Sequence, residues 1–191
     1  MKRGKVWRVL TLFAILPVLV LAVPGIASAQ EAVKVSKWQQ NGLRFEIAPL
    51  GADQVRAFFI GRGFSSQNAG LIAKTGCIFR SAIGNTGTSV SDPDVEIDLS
   101  RWQVVSQART GAPQNRGQWA ATWKERGANE DAQTAFYWAM FPGKQVFSPT
   151  DYNWGMLSFA LPPGTSFELN VVWKTGKIHY SKKLENLTCG R

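Results

Sequence analysis

Residues 157–189, LSFALPPGTSFELNVVWKTGKIHYSKKLENLTC, decide the fold class. Leu157, Phe159 and Leu161 alternate up to a Pro162-Pro163-Gly164 break, and Phe167, Leu169, Val171 and Trp173 alternate after it. A period of two puts each set on one face of a half-buried strand. Thr175-Gly176 predicts a tight hairpin turn, and Ile178 and Tyr180 continue on a returning strand that runs to Cys189.

The same period recurs upstream. Leu43, Phe45 and Ile47 alternate with Arg44 and Glu46, while Cys77, Phe79, Ser81 and Ile83 share a face opposite Ile78, Arg80 and Ala82. Val95, Ile97 and Leu99 follow, but Trp102 and Val104 fall on the other parity, which predicts a β-bulge near Ser100-Arg101. Residues 31–40 are polar around one anchor, Trp38, and read as a loose arm or an edge strand. Six or seven short strands separated by turns predict a mainly β fold, an immunoglobulin-like β-sandwich. Two short helical insertions interrupt it, near 52–75 and 117–141. In the first, Asp53 is placed to cap a segment carrying Val55, Phe58 and Phe59, and Ser65 or Ser66 to cap one carrying Ala69, Ile72 and Ala73. Turn motifs at Asn85-Thr86-Gly87 and Leu161-Pro162-Pro163-Gly164 resemble those of exported immunoglobulin-like domains; they cover a small part of the chain and assign no family.

The stretch from Gly117 to Gly155, which opens with the second insertion, holds half of the chain's eight tryptophans in about a fifth of its 191 residues. Trp119 and Trp123 are four apart, on one helical face. Asn129 reads as an N-cap, and Ala132, Ala135, Phe136, Ala139 and Met140 as the inner stripe of a following helix. A loop after Pro142-Gly143 then carries Phe147, Pro149 and Tyr152 to Asn153-Trp154. The rings of Trp119, Trp123 and Trp138 are expected to pack over one sheet face as a second small core. Trp119, Trp123, Tyr137, Trp138, Tyr152, Asn153 and Trp154 are nonetheless the binding candidates, because Trp and Tyr are enriched where proteins meet partners. The narrower expectation rests on Tyr152-Asn153-Trp154.

At the N-terminus, Lys2, Arg3, Lys5 and Arg8 precede an apolar run and Ala27-Ser28-Ala29, the three-part pattern of a cleaved secretory signal peptide over 1–29. Residues 30–191 then form a single domain with no membrane span after processing, in a periplasmic or secreted location. Four of the net nine positive charges belong to that segment, which has no acids. The remaining charge suits anionic envelope components or an envelope protein partner, and is compatible with peripheral membrane contact. It is too diffuse for nucleic acid. Two cysteines in an exported chain predict a disulfide, Cys77 to Cys189.

Residue types exclude much chemistry. One histidine, His179, sits mid-strand; no Gly-x-Ser-x-Gly elbow accompanies it, and hydrolytic zinc needs more nitrogen or thiolate ligands than the chain offers. Glu130 and Asp131 are placed as helix-dipole partners and Asp151 as a turn residue, so no catalytic site, metal or cofactor is assigned. The expectation is a non-catalytic accessory protein that docks a protein or envelope component. The alternatives are a carbohydrate or small-ligand module, which needs an open aromatic groove with polar neighbours, and a metal-handling assembly factor, which needs Cys77 and Cys189 reduced beside Met140, Met156 or His179.

Overall fold

The computed structural model describes residues 35–107 and 109–191. The signal-peptide reading of 1–29 lies outside the described residues. The first sheet has the order β1-β2-β3-β8, all antiparallel: β1 is Ser36–Gln40, β2 Leu43–Pro49, β3 Cys77–Asn85 and β8 Tyr152–Phe159. The segment around Trp38 is therefore an edge strand. It turns into β2 through Asn41-Gly42, both at positive φ (47° and 84°), the conformation that Asn-Gly supplies to a two-residue hairpin at little cost.

The second sheet is centred on β9 (Ser166–Thr175). The long β10 (Ile178–Thr188) lies along one side of it, and β4 (Val95–Asp98) and β5 (Gln103–Val105) lie in line along the other. In place of the expected bulge, a 3-10 turn at Leu99–Arg101 separates β4 from β5, and the Asp98 carboxylate accepts from the Ser100 N–H at 3.0 Å. This turn performs the parity switch: Trp102 swings into the core and donates its indole N–H to the Val172 carbonyl at 2.9 Å. Outside β5 and β4 run β6 (Thr110–Gly111) and β7 (Lys144–Phe147). β7 corrects the expectation of a loop there.

The inner faces of the two sheets share one core. Phe45, Ile47, Phe79 and Ile83 meet Trp102, Val104, Phe167, Leu169, Val171 and Trp173. The Cys77–Cys189 disulfide, with both residues buried, ties β3 of the first sheet to the end of β10 in the second. It closes a loop of 112 residues, for which chain entropy alone predicts about 4–5 kcal/mol of stabilisation.

Four helices cover part of the first sheet's outer face: α1 (Ala52–Ile60), α2 (Ser66–Thr75), α3 (Arg116–Glu125) and α4 (Glu130–Ala139). Their caps are local. Ser65 accepts from the Asn68 N–H, and Asn129 from those of Asp131 and Ala132. Asn115 and Gln118 bond reciprocally at the start of α3, a capping box. Asp53, expected as a cap, lies in the first turn of α1; the N-cap is Gly51, whose N–H donates to the Gln54 side chain. Beneath the helices Val55, Phe59, Phe64, Ile72, Trp119, Trp123 and Phe136 pack against Ile78 of β3 and Met156 of β8.

Candidate functional site

The helices leave the rest of that outer face open, and the ladder registers define what it carries. Directly paired residues share a face of a sheet. One row runs Gln39, Arg44, Gly84, Tyr152 across β1, β2, β3 and β8; the next runs Lys37, Glu46, Ala82, Trp154. In the third row, Ala48 and Met156 are already buried while Arg80 between them stays exposed. Trp154 is 67% exposed and Tyr152 59%.

Small residues shape this surface. Gly84 has no side chain between Arg44 and Tyr152, so the Arg44 guanidinium reaches across β3 to lie 5.5 Å from the centre of the Tyr152 ring. A Cβ on Gly84 would sit 2.6 Å from that of Tyr152. Ala82 likewise leaves the flank of Trp154 open, and a groove of about 440 Å³ runs from there to α1. Trp154, Met156, Ala82, Ala48 and Phe58 supply its apolar lining, and Glu46, Arg80 and Gln54 its polar groups. A few convergent polar side chains in a mostly apolar concavity are the usual composition of a ligand site.

The β8 edge of this sheet is closed to strand pairing. Met156 and Ser158 accept from the N–H groups of Phe141 and Gln114 along the free side of β8. The N–H groups of Tyr152 and Trp154 donate to the preceding side chains, Asp151 Oδ1 and Asn153 Oδ1, each at 2.8 Å. An edge with its donors satisfied is a poor template for another strand, so what β8 leaves accessible is its face. Asn153 is also bound through Nδ2 to Gln145 of β7 at 2.9 Å, so it fixes the strand and presents nothing to the groove.

The expected binding residues therefore separate. Tyr152 and Trp154, expected at a loop end, are neighbours on one strand face. Trp119 and Trp123 are buried and stacked with ring centres 5.1 Å apart, inside the helical core. Their indole N–H groups find no partner among the described residues. Tyr137 borders that core; its hydroxyl is unpartnered too, and burial pushes its pKa up against the opposing pull of Arg116. Trp138, expected in the helical core, is instead 84% exposed. It lies in the last turn of α4, just before a parallel bridge between Met140 and Met156.

That bridge brings together the two methionines of the metal-handling alternative, but both are buried and both cysteines are spent in the disulfide. Thiol ligation needs Cys77 and Cys189 reduced, and here they are joined to each other. Among the described residues no cluster of three or more His, Cys, Asp or Glu side chains could hold a metal, and no helix is long and apolar enough to cross a membrane. Arg44, Gly84 and Ala82 went unmarked by sequence reasoning; cross-strand register, which composition does not carry, gives them their place. Compared with protein-family models, curated proteins and solved structures, the chain has no match.

Proposed function

We propose that this chain is an exported, non-catalytic binding protein of the cell envelope whose partner seats on the open outer face of the four-stranded sheet. The observation that carries the reading is the solvated pair Trp154 and Tyr152 beside a groove of about 440 Å³. Two large rings held in water on a rigid strand contribute little to folding, and such rings concentrate at interaction sites. Export is supported by the disulfide, which suits an oxidising compartment, and by the three-part N-terminal pattern of residues 1–29. For the architecture we propose an immunoglobulin-like sandwich; two facing antiparallel sheets joined by a buried disulfide support it.

The test is co-sedimentation of the purified protein with isolated cell envelopes. Binding that Trp154→Ala removes and Trp138→Ala leaves supports the open face. Retention of binding by the Trp154→Ala, Tyr152→Ala double variant sinks it. The carbohydrate reading is favoured by Gln54, Glu46 and Arg80 flanking an exposed indole.

A further inference from the structure

We infer that the ligand of this face is an acidic polysaccharide, a chain of sugar rings bearing carboxylates. The inference rests on the binding reading above and names its ligand class.

Charge is the first argument. The open rows and the groove carry Lys37, Arg44 and Arg80 against one carboxylate, Glu46. Glu46 engages Lys37 at 3.6 Å, whereas neither Arg44 nor Arg80 has an acidic partner among the described residues. A surface with two guanidinium groups that no carboxylate engages complements an anion, and the guanidinium fork matches a carboxylate in two parallel hydrogen bonds.

Ring chemistry is the second. Trp154 stands beside Ala82 and has free space on the side facing β3, where the groove opens, while Tyr152 stands beside Gly84 with the Arg44 guanidinium reaching toward its ring. The weakly positive C–H face of a sugar ring fits against the negative face of an indole or phenol. Tyr152 and Trp154 are two residues apart on one strand, about 7 Å along it, which suits a polymer that presents successive rings.

Glu46 is the third argument. A carboxylate in the middle of the site accepts from donors, and sugar hydroxyls supply them. The backbone of a single-stranded nucleic acid offers phosphates and, in DNA, no hydroxyl donors, so Glu46 opposes it. A peptide would gain most by extending a sheet edge, and the edge beside Tyr152 and Trp154, that of β8, is already occupied.

The experiment is calorimetric titration of the purified protein with oligogalacturonate, its fully methyl-esterified form, and single-stranded oligothymidylate. Oligogalacturonate is expected to bind, more weakly as salt is raised. The methyl ester, which keeps the rings and removes the charge, is expected to bind on the order of tenfold more weakly. Arg80→Gln should cause a similar loss toward the acid and none toward the ester, and Trp154→Ala should abolish both, with Trp154→Phe retaining part. An unchanged melting temperature in Trp154→Ala excludes misfolding as the cause. Equal affinity for acid and ester, preference for oligothymidylate, or no binding of either sugar overturns the inference. If neither sugar binds while envelope binding still depends on Trp154, the ligand class alone is wrong; if both fail, the face itself is not a binding site.

Discussion

Trp154 on β8 lies directly across the ladder from Ala82 on β3, one row along from Tyr152 across from Gly84. An aromatic residue paired with a small one has no cross-strand side chain against its ring; the space beside Trp154 opens to the groove, and Arg44 reaches into the space beside Tyr152. Gly84→Ala should therefore displace Tyr152 and strain the β3–β8 ladder beneath it. Its new Cβ would lie 2.6 Å from both the Asp151 carbonyl oxygen and the Tyr152 Cβ, a clash that turning the ring does not relieve, so β3 and β8 must part locally and the contact of Tyr152 with Arg44 is disturbed. The checks are ligand affinity, expected to fall several-fold, and urea denaturation, expected to show a loss of about 1–3 kcal/mol from overpacking.

Trp154 and Trp123 should part company in stability. Trp123 is fully buried among Phe64, Trp119 and Phe136, and its replacement by Ala should cost about 3–5 kcal/mol through lost burial and a residual cavity. Trp154→Ala should shift stability by no more than about 0.5 kcal/mol. Urea denaturation of the two variants checks the pair.

Gly155 is a packing requirement. A Cβ there would lie 2.8 Å from the backbone of Phe141, where the chain leaving α4 bonds to Met156. Gly155→Ala should destabilise by about 1–3 kcal/mol, as overpacking does. Hydrogen exchange should show loss of protection at the Phe141 amide first.

Removing the bridge with Cys77→Ser and Cys189→Ser together should lower stability by about 4–5 kcal/mol if chain entropy dominates. Comparison of chemical denaturation with the oxidised protein measures it. A loss under 1 kcal/mol would mean that the unfolded chain stays compact with or without the crosslink.

Acid should weaken the β4–β7 corner. The Ser100 hydroxyl, opposed by some desolvation and reinforced by Lys144, holds the Asp98 carboxyl below the usual aspartate range. A depressed folded pKa contributes stability that is present above the unfolded value, about 3.9, and is lost as pH falls through the folded one. Asp98→Asn should flatten that part of the stability profile below about pH 4 and leave the neutral-pH profile parallel to that of the parent protein.

Strands with strict alternation, such as 43–47, 77–83 and 166–175, were legible because each buries one face against the shared core. β7 was not: of Lys144–Phe147 only Phe147 is buried and Val146 is exposed, so four residues show no period. The start of β8 was hidden for the opposite reason. Tyr152 and Trp154 are apolar on the solvent side, Asn153 is polar on the other, and Gly155 interrupts the run. The Asn41-Gly42 hairpin had a clear local signal that the polar composition around it masked. The open face itself is a property of register between strands far apart in sequence, Leu43–Pro49, Cys77–Asn85 and Tyr152–Phe159. Trp138 could not be told from its buried neighbours because its position on α4 falls at the margin of the apolar stripe.

Iodide quenching in a Trp138→Phe background tests the central claim most directly, since Trp154 is then the principal solvent-exposed indole among the described residues. A large quenchable fraction is expected for the free protein, falling sharply when envelope extract is added and absent from the Trp138→Phe, Trp154→Phe double variant. An exposed Trp154 whose quenching is untouched by saturating extract would contradict the account.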